Sequence, residues 1–162
     1  MRQNIAPTSL SIKIITSLIL ILTGGMLIGS FLYPELLWAG IVLTIIVIYC
    51  FLSAPIAYEL NGNQLTIISR MGKKVFEPVL KCSLIGEEKP SFSLRLWGNG
   101  GLFAGTGIFW NKKYGVFRAY VSTGERSNLI LIETPQSKVI LTPESPKEFL
   151  AWANSSNNTN RK

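Results

Sequence analysis

The side chains that most often carry catalysis and metal binding are nearly absent from this chain. Its 162 residues contain no His, and its nine acidic residues are all Glu, so there is no Asp. A Ser-His-Asp triad and a His-ligated zinc site therefore cannot be built, and the commonest general base at neutral pH is missing. We accordingly expect no enzymatic activity, no metal site and no cofactor.

The remaining reactive groups do not converge along the sequence. Cys50 lies in an apolar stretch and Cys82 in a later, more polar part, so both are interpreted as small apolar residues and not as a disulfide. A Cys nucleophile would need an activating partner, and there is no His to supply it. Glu87 and Glu88 are adjacent and would point to opposite faces of a strand, so they cannot act as a pair.

A glycine-rich run, GNGGLFAGTG at residues 98–107, raises the question of phosphate binding. It has Phe103 where a GxGxxG motif needs its third glycine, and no GK[ST] follows for a P-loop. The glycines are therefore interpreted as tight bends between strands. The alternative is an exposed apolar loop that contacts a partner. Its contact residues would be Leu102, Phe103, Phe109 and Trp110.

Two uncharged apolar stretches near the start of the chain determine where these residues are held. No charge occurs between Lys13 and Glu35 or between Glu35 and Glu59, and each gap is close to the ~20 residues that a membrane-crossing helix needs. We predict transmembrane helices at residues 14–33 and 36–58, so the lipid bilayer is the first expected partner. No A-x-A-like site follows the first stretch and a second one comes at once, which favours an uncleaved helix over a signal peptide.

The charges that flank this helical hairpin predict its orientation. The short link carries only Glu35, whereas Arg2 and Lys13 precede the first helix and the part after the second helix is basic, within a net charge of +7. By the positive-inside bias, we expect a cytoplasmic (inner) membrane protein with both termini in the cytoplasm. The basic residues occur singly or in pairs without a run, so nucleic-acid binding is not favoured.

A GxxxG pattern at Gly25 and Gly29 predicts the close approach of another helix. That helix is either a second copy of the chain, which would make a homo-oligomer, or the tethered helix of the same hairpin near Gly40. We favour the tethered helix because it is already held close. No ionisable residue lies within either span, so the sequence gives no sign of an ion path.

After the hairpin, the pattern changes to short strands with turns and one final helix. Residues 61–63, Asn-Gly-Asn, are a typical turn signal, and residues 128–133 are apolar on both faces, as in a central strand. Pro146, between Ser145 and Glu148 of an S-x-x-E box, predicts the start of a helix. We predict a small bent sheet or barrel of about seven strands capped by this helix.

Four stretches of this part carry a family resemblance: RLWGNGGLFAGTGIFW, KKYGVFRAYVS, NLILIET and KVILTPESPKEFLAW. The most specific residues are an ordered set: Arg95, Gly98, Gly100, Gly101, Gly107, Val139, Pro143, Pro146 and Phe149. Over roughly residues 56–153 the chain resembles the bacterial pleckstrin-homology-like (PH-like) domains, in the version found behind transmembrane helices. The resemblance implies an α+β, mainly β, fold with a seven-stranded sheet capped by a helix, and a binding or scaffolding module without chemistry.

The predicted organisation therefore has four parts. They are a cytoplasmic N-terminal segment at 1–13, the helical hairpin at 14–58, the PH-like domain at 56–153 and a disordered polar tail at 154–162. Eukaryotic PH domains hold inositide phosphates with basic residues around the first loop between strands, but residues 61–63 contain none. Basic residues one turn later are the candidates for contact with anionic lipid: Arg70, Lys73 and Lys74.

Two functions remain open at this point. In the first, which we favour, the chain is a membrane-tethered, non-catalytic binding module that engages a protein or peptide at the cytoplasmic face. Exposed sheet edges suit the addition of a peptide strand, and no catalytic set exists. In the second, the chain is an accessory subunit of a membrane complex whose transmembrane hairpin makes the contacts.

Overall fold

The computed structural model describes residues 1–85, 93–123 and 128–159, with side chains up to residue 155. Glu87 and Glu88 and the tail residues 160–162 lie outside the described residues. In chain order the described elements are β1 (Arg2–Asn4), α1 (Leu10–Gly29), α2 (Glu35–Ser53), β2 (Pro55–Asn61), β3 (Gln64–Ser69), β4 (Gly72–Phe76), β5 (Lys81–Leu84), β6 (Ser93–Gly100), β7 (Gly105–Asn111), β8 (Gly115–Val121), β9 (Ile130–Glu133), β10 (Lys138–Leu141) and α3 (Pro146–Thr159).

The helices α1 and α2 are both long and apolar enough to span a membrane. Only 11% and 17% of their apolar windows is buried inside the protein, so most of their side chains face outward, as in helices that lie in lipid. The second helix is shorter than predicted and ends at Ser53. Pro55 disfavours helical backbone at the residue before it, and Ala54 is accordingly extended, with φ −62° and ψ 133°. The residues that follow belong to β2.

The strands form two sheets. One has four antiparallel strands in the order β1-β2-β3-β4, and the other has six in the order β5-β9-β10-β8-β7-β6, in which β8 and β10 are parallel. Gly62, at φ +57°, makes the predicted turn between β2 and β3. Strand β9 lies between β5 and β10 with Ile130, Leu131 and Ile132 all buried, which confirms the prediction of a central strand.

The main core lies between the two sheets and under α3. Its buried members are Tyr58, Leu60, Leu65, Ile67, Phe76, Val79, Cys82, Tyr120, Ile130, Ile132, Val139, Leu141, Phe149 and Ala153. Phe149 of α3 is fully buried there, because its helix presents an apolar stripe to the sheets. The Tyr58 hydroxyl donates to the Tyr120 carbonyl at 2.5 Å, and this bond satisfies its polar end. The predicted fold class, a helical hairpin followed by a PH-like α+β unit, is confirmed.

The strand count after the hairpin is nine in the described residues, more than the seven expected. The glycine-rich run explains much of the difference, because it continues two strands and bends only at residues 101–104. Gly98 of β6 and Gly107 of β7 are paired, with φ of 109° and 149°. A Cβ at either position would overlap backbone atoms of the other strand, so only glycine allows this close approach.

The segment before α1 is part of the domain, which its sequence pattern does not predict. Strand β1 pairs with β2, and the backbones of Met1 and Leu60 exchange two hydrogen bonds of 2.8 Å. Ala6 is buried, its N–H donates to the Thr142 carbonyl at 2.8 Å, and its carbonyl accepts from the Ser122 hydroxyl at 2.6 Å. The two ends of the helical hairpin therefore lie on the same side of it.

The C-terminal helix begins at Pro146 as predicted but continues to Thr159. This corrects the predicted disordered tail for residues 154–159. Neither Gly nor Pro occurs between Ala153 and Thr159, so no strong stop signal ends the helix at the last apolar residue.

Candidate functional site

The glycine-rich loop between β6 and β7 rests on the helical hairpin. Leu102 is only 6% exposed and forms a cluster with Val47 and Cys50 of α2, against which Ile19 of α1 also packs. The Phe103 ring meets the Phe51 ring edge-on, with centroids 5.2 Å apart. We call this set of contacts the packed side of the junction between hairpin and domain.

The loop is held in this position by polar contacts. The Asn99 side-chain oxygen accepts hydrogen bonds from the N–H groups of Gly101 (3.2 Å) and Leu102 (2.9 Å), and its amide donates to the Leu102 carbonyl. Phe103 adopts φ +63°, and its N–H donates to the Thr16 hydroxyl of α1 at 3.0 Å. A left-handed conformation at a bulky residue is unusual and requires support from its surroundings. Here the hairpin gives that support.

The four predicted partner-contact residues are thus divided among three places. Leu102 and Phe103 face the hairpin of their own chain. Phe109 stacks on Phe117, with ring centroids 5.9 Å apart, in a second apolar cluster on the other face of the six-stranded sheet. Trp110 is 40% exposed. A role of these residues in binding a partner stays a prediction.

The predicted basic residues also separate. Arg70 lies over the Phe51 ring, 4.1 Å from its centroid, and its guanidinium donates to the Phe51 carbonyl at 3.4 Å. It therefore interacts with the C-terminal turn of α2, where the helix dipole favours a cation. The next residue, Met71, donates its N–H to the Leu52 carbonyl at 3.0 Å. Lys73 and Lys74 are consecutive residues of β4, so their side chains point to opposite faces of the strand, and it is Lys74 that lies over the Tyr120 ring in a cavity.

Two adjoining cavities of about 200 Å³ each lie between α2 and the two sheets. Both are lined by Tyr49 and Ser53 of α2, Lys74 of β4 and Tyr120 of β8. We call them together the junction cleft. Lys73 lines one of them, and the other is lined by Arg118 and, among others, Trp97, Asn99 and Thr106. No acidic side chain of the described residues lines either cavity.

Cations from two separate elements meet in this cleft. The Lys74 ammonium lies 5.4 Å from the Tyr120 ring centroid, and the Arg118 guanidinium lies 5.8 Å from that of Phe76. Sequence reasoning missed Arg118 as a site residue. The available signal is the alternation of β8, which places Arg118 on the same face as Tyr120, but the approach of β4 and α2 to that face depends on the tertiary fold.

Within the hairpin, the two glycines of the GxxxG pattern differ. A Cβ at Gly29 would lie 3.1 Å from Leu36, and one at Gly40 would lie 2.8 Å from Leu27, so these two glycines permit close packing of α1 on α2. A Cβ at Gly25 would meet nothing within 4 Å. Gly25 is therefore not needed for the contact between the two helices.

The buried ionisable groups of the domain are held in their neutral forms. Burial raises the pKa of Cys82 to about 12, and it also raises the pKa of Tyr58. A protonated thiol is a poor nucleophile, and Cys82 is a free cysteine within the main core. Among the described residues, no group of three potential metal ligands comes together.

Comparison with known proteins gives one match. A family model described as bacterial PH domain matches residues 56–156 of the chain. No curated protein and no solved structure matches.

Proposed function

Because the chain belongs to the bacterial PH domain family, we propose that it is a membrane-tethered, non-catalytic binding module for a protein or peptide at the cytoplasmic membrane face. The domain follows two candidate membrane spans and packs against them. The observation that carries the proposal is the exposed edge strand β6, onto which an extended partner segment can add.

Strand β6 differs from the other sheet edges in length and character. It is the last strand of the six-stranded sheet, and its side chains are almost all exposed, including Leu94 (48%), Leu96 (55%) and Trp97 (76%). The edge strand β4 carries Lys73 and Lys74, which are typical protection against strand addition. The remaining edge strands, β1 and β5, have only three and four residues, compared with eight in β6. Strand β6 is thus the best-suited edge for a partner.

The cytoplasmic orientation is supported by charge and by the pairing of β1 with β2. That pairing puts the segment before α1 and the domain on one side of the hairpin, with Glu35 at the opposite end. In the sequence, none of the 16 basic residues occurs between Lys13 and Arg70, so the link between the helices carries no positive charge. The positive-inside bias therefore assigns the side that holds the segment before α1 and the domain to the cytoplasm.

The proposal is tested by crosslinking in native membranes with the full-length protein as bait. Arginine is introduced on β6 in a Leu94→Arg/Leu96→Arg variant. In the control Val75→Arg/Met71→Arg it is introduced on β4, the edge of the four-stranded sheet, and in the turn before β4, where both side chains are also exposed. We expect the wild type and the control to capture the same partner, and the β6 variant to lose it. Equal capture by all three proteins would refute the role of β6.

A second function, contact through the hairpin, is favoured by the open space at Gly25. In an accessory subunit, another protein's helix would approach α1 there. The substitution Gly25→Ile would then abolish capture while the β6 variant retains it. The matched control is Gly24→Ile, because a Cβ at Gly24 also meets nothing within 4 Å and Gly24 points to a neighbouring part of the helix surface.

A further inference from the structure

The junction cleft has the composition of a phosphate site at the end of a membrane helix. We infer that it binds the headgroup of an anionic phospholipid, with Lys74 and Arg118 as the principal phosphate ligands. One acyl chain of this lipid lies along the hairpin. Both proposed phosphate ligands lie outside β6, so lipid binding can be tested without a protein partner. Trp97 of β6 lines the cleft as well as the proposed partner edge.

The charges in the cleft fit a phosphate group. Lys74 and Arg118 reach it from different strands, and each is placed next to an aromatic ring that limits where its charged end can lie. Arginine offers a planar fork of donors and lysine a compact charge, a combination that suits a phosphodiester. No acidic side chain of the described residues lines the cleft to compete for these cations.

The position of the cleft selects a lipid as the source of that phosphate. Tyr49 and Ser53, in its wall, belong to the last turns of α2, which is a candidate membrane span. The cleft is therefore at the level where a bilayer changes from hydrocarbon to headgroups. Tyr49 is 56% exposed and Trp97 is 76% exposed, and such amphipathic rings are typical of the membrane interface.

An apolar groove lies along the hairpin, about one helical turn from the cleft. Its volume is about 470 Å³, and it is lined by Met26, Trp38, Ala39, Val42, Leu43 and Ile46. Val42 and Tyr49 are seven residues apart, as are Ile46 and Ser53, so the groove and the cleft share one face of α2. The rise from Ile46 to Tyr49 is only ~4.5 Å. A groove in hydrocarbon that ends near a basic cleft matches one amphiphilic molecule, an acyl chain with an anionic headgroup.

This site lies apart from the first turn of the domain, where eukaryotic PH domains bind inositide phosphates. That turn precedes Gln64, the first residue of β3, whereas Ser69, the last residue of β3, lines the cleft. Gln64 and Ser69 are ~17 Å apart along the strand. The proposed lipid is also shared between hairpin and domain, so it requires both parts of the chain.

Native mass spectrometry of the full-length protein in mild detergent tests the inference. Phosphatidylglycerol and phosphatidylcholine are added separately, and lipid-bound and free protein are counted. We expect the wild type to retain phosphatidylglycerol preferentially, and Lys74→Gln/Arg118→Gln to bind it about 30-fold more weakly, from the loss of two cations at the surface. The control Lys81→Gln/Lys112→Gln removes the same charge from exposed positions outside the cleft and should bind as the wild type does.

Three further arms keep the result decisive. The charge-preserving variant Lys74→Arg/Arg118→Lys should retain the lipid. If only the Gln variant loses lipid binding, the loss comes from the missing charge and not from misfolding. Ile46→Trp fills the groove and should weaken binding without changing charge. Equal retention by the Gln variant and its control would overturn the inference. Displacement of the lipid by millimolar inorganic phosphate would overturn the assignment to a lipid and indicate a site for a soluble anion.

Discussion

The hairpin and the domain meet on two sides that are built in opposite ways. On the packed side, Leu102 and Phe103 fill the space against α1 and α2, and the Phe103 N–H donates to the Thr16 hydroxyl. On the other side, Lys74, Arg118 and Tyr49 line a cavity of about 200 Å³ that the side chains of the described residues leave open. The difference indicates that the packed side determines where the domain sits, whereas the cleft is the open space in which we propose that a lipid headgroup binds.

The largest expected effect comes from emptying the packed side. Leu102→Ala removes a buried side chain, a change that typically costs about 2–5 kcal/mol. We expect the amides of residues 101–104 to exchange hydrogen at least about 30-fold faster, because the loop opens from the hairpin more often. Hydrogen exchange of the full-length protein in detergent measures this. Unchanged exchange would mean that the loop is not held by the hairpin.

A smaller effect is expected from removing the polar contact on the same side. Thr16→Val deletes the acceptor of the Phe103 N–H, and an unsatisfied buried donor costs about 1–3 kcal/mol. The Phe103 amide should then exchange about tenfold faster. Thr23→Val is the matched control on α1, since the Thr23 hydroxyl bonds only the Ile19 carbonyl of its own helix at 2.7 Å. Equal acceleration in both variants would indicate a general effect on α1.

Arg70 tests the border between the two sides. Arg70→Gln removes the cation from the Phe51 ring and from the end of α2, contacts worth about 1 kcal/mol together at an exposed position. We expect the Met71 amide, which donates to Leu52, to exchange about fivefold faster. Lys73→Gln removes the same charge three residues later, and without added lipid it should leave that amide unchanged.

The smallest effect on stability is expected on the open side. Trp97 is 76% exposed, so Trp97→Ala should change the free energy of unfolding by less than about 0.5 kcal/mol. The same variant should retain less phosphatidylglycerol, because an interfacial ring is lost from the mouth of the cleft. Denaturant unfolding measures the first quantity and native mass spectrometry the second. A destabilisation as large as that of Leu102→Ala would remove the contrast between the two sides.

The sequence predicted best those features that depend on residues close together in the chain. The turn at Gly62, the central strand β9 and the helix start at Pro146 each follow from a short local pattern. The end of α2 was misplaced because counting charges cannot separate an apolar helix from the apolar strand that follows it. Residues 36–58 are all uncharged, yet Tyr58 lies in the core of the domain and not at the membrane interface.

The site was harder to predict because its parts are distant in the chain. The cleft combines Tyr49, Lys74 and Arg118, which come from three elements, and no spacing in the sequence relates them. The sequence identified the glycine-rich loop as a possible contact for a partner, but its residues Leu102 and Phe103 pack against the hairpin of their own chain. Strand β1 has no signal at all, since Arg-Gln-Asn carries no alternation and pairs only because β2 has a free edge.

The pairing of β1 with β2 also has a consequence for how the protein is inserted into the membrane. Strand β1 precedes both helices and β2 follows them, so the sheet can close only if the chain has crossed the bilayer an even number of times. A molecule with one helix inserted and the other left outside would hold the two strands on opposite sides of the membrane. It would lack the hydrogen bonds from Met1 to Leu60 and would leave the place of Ala6 empty. The four-stranded sheet can therefore be completed only in molecules in which both helices have been inserted.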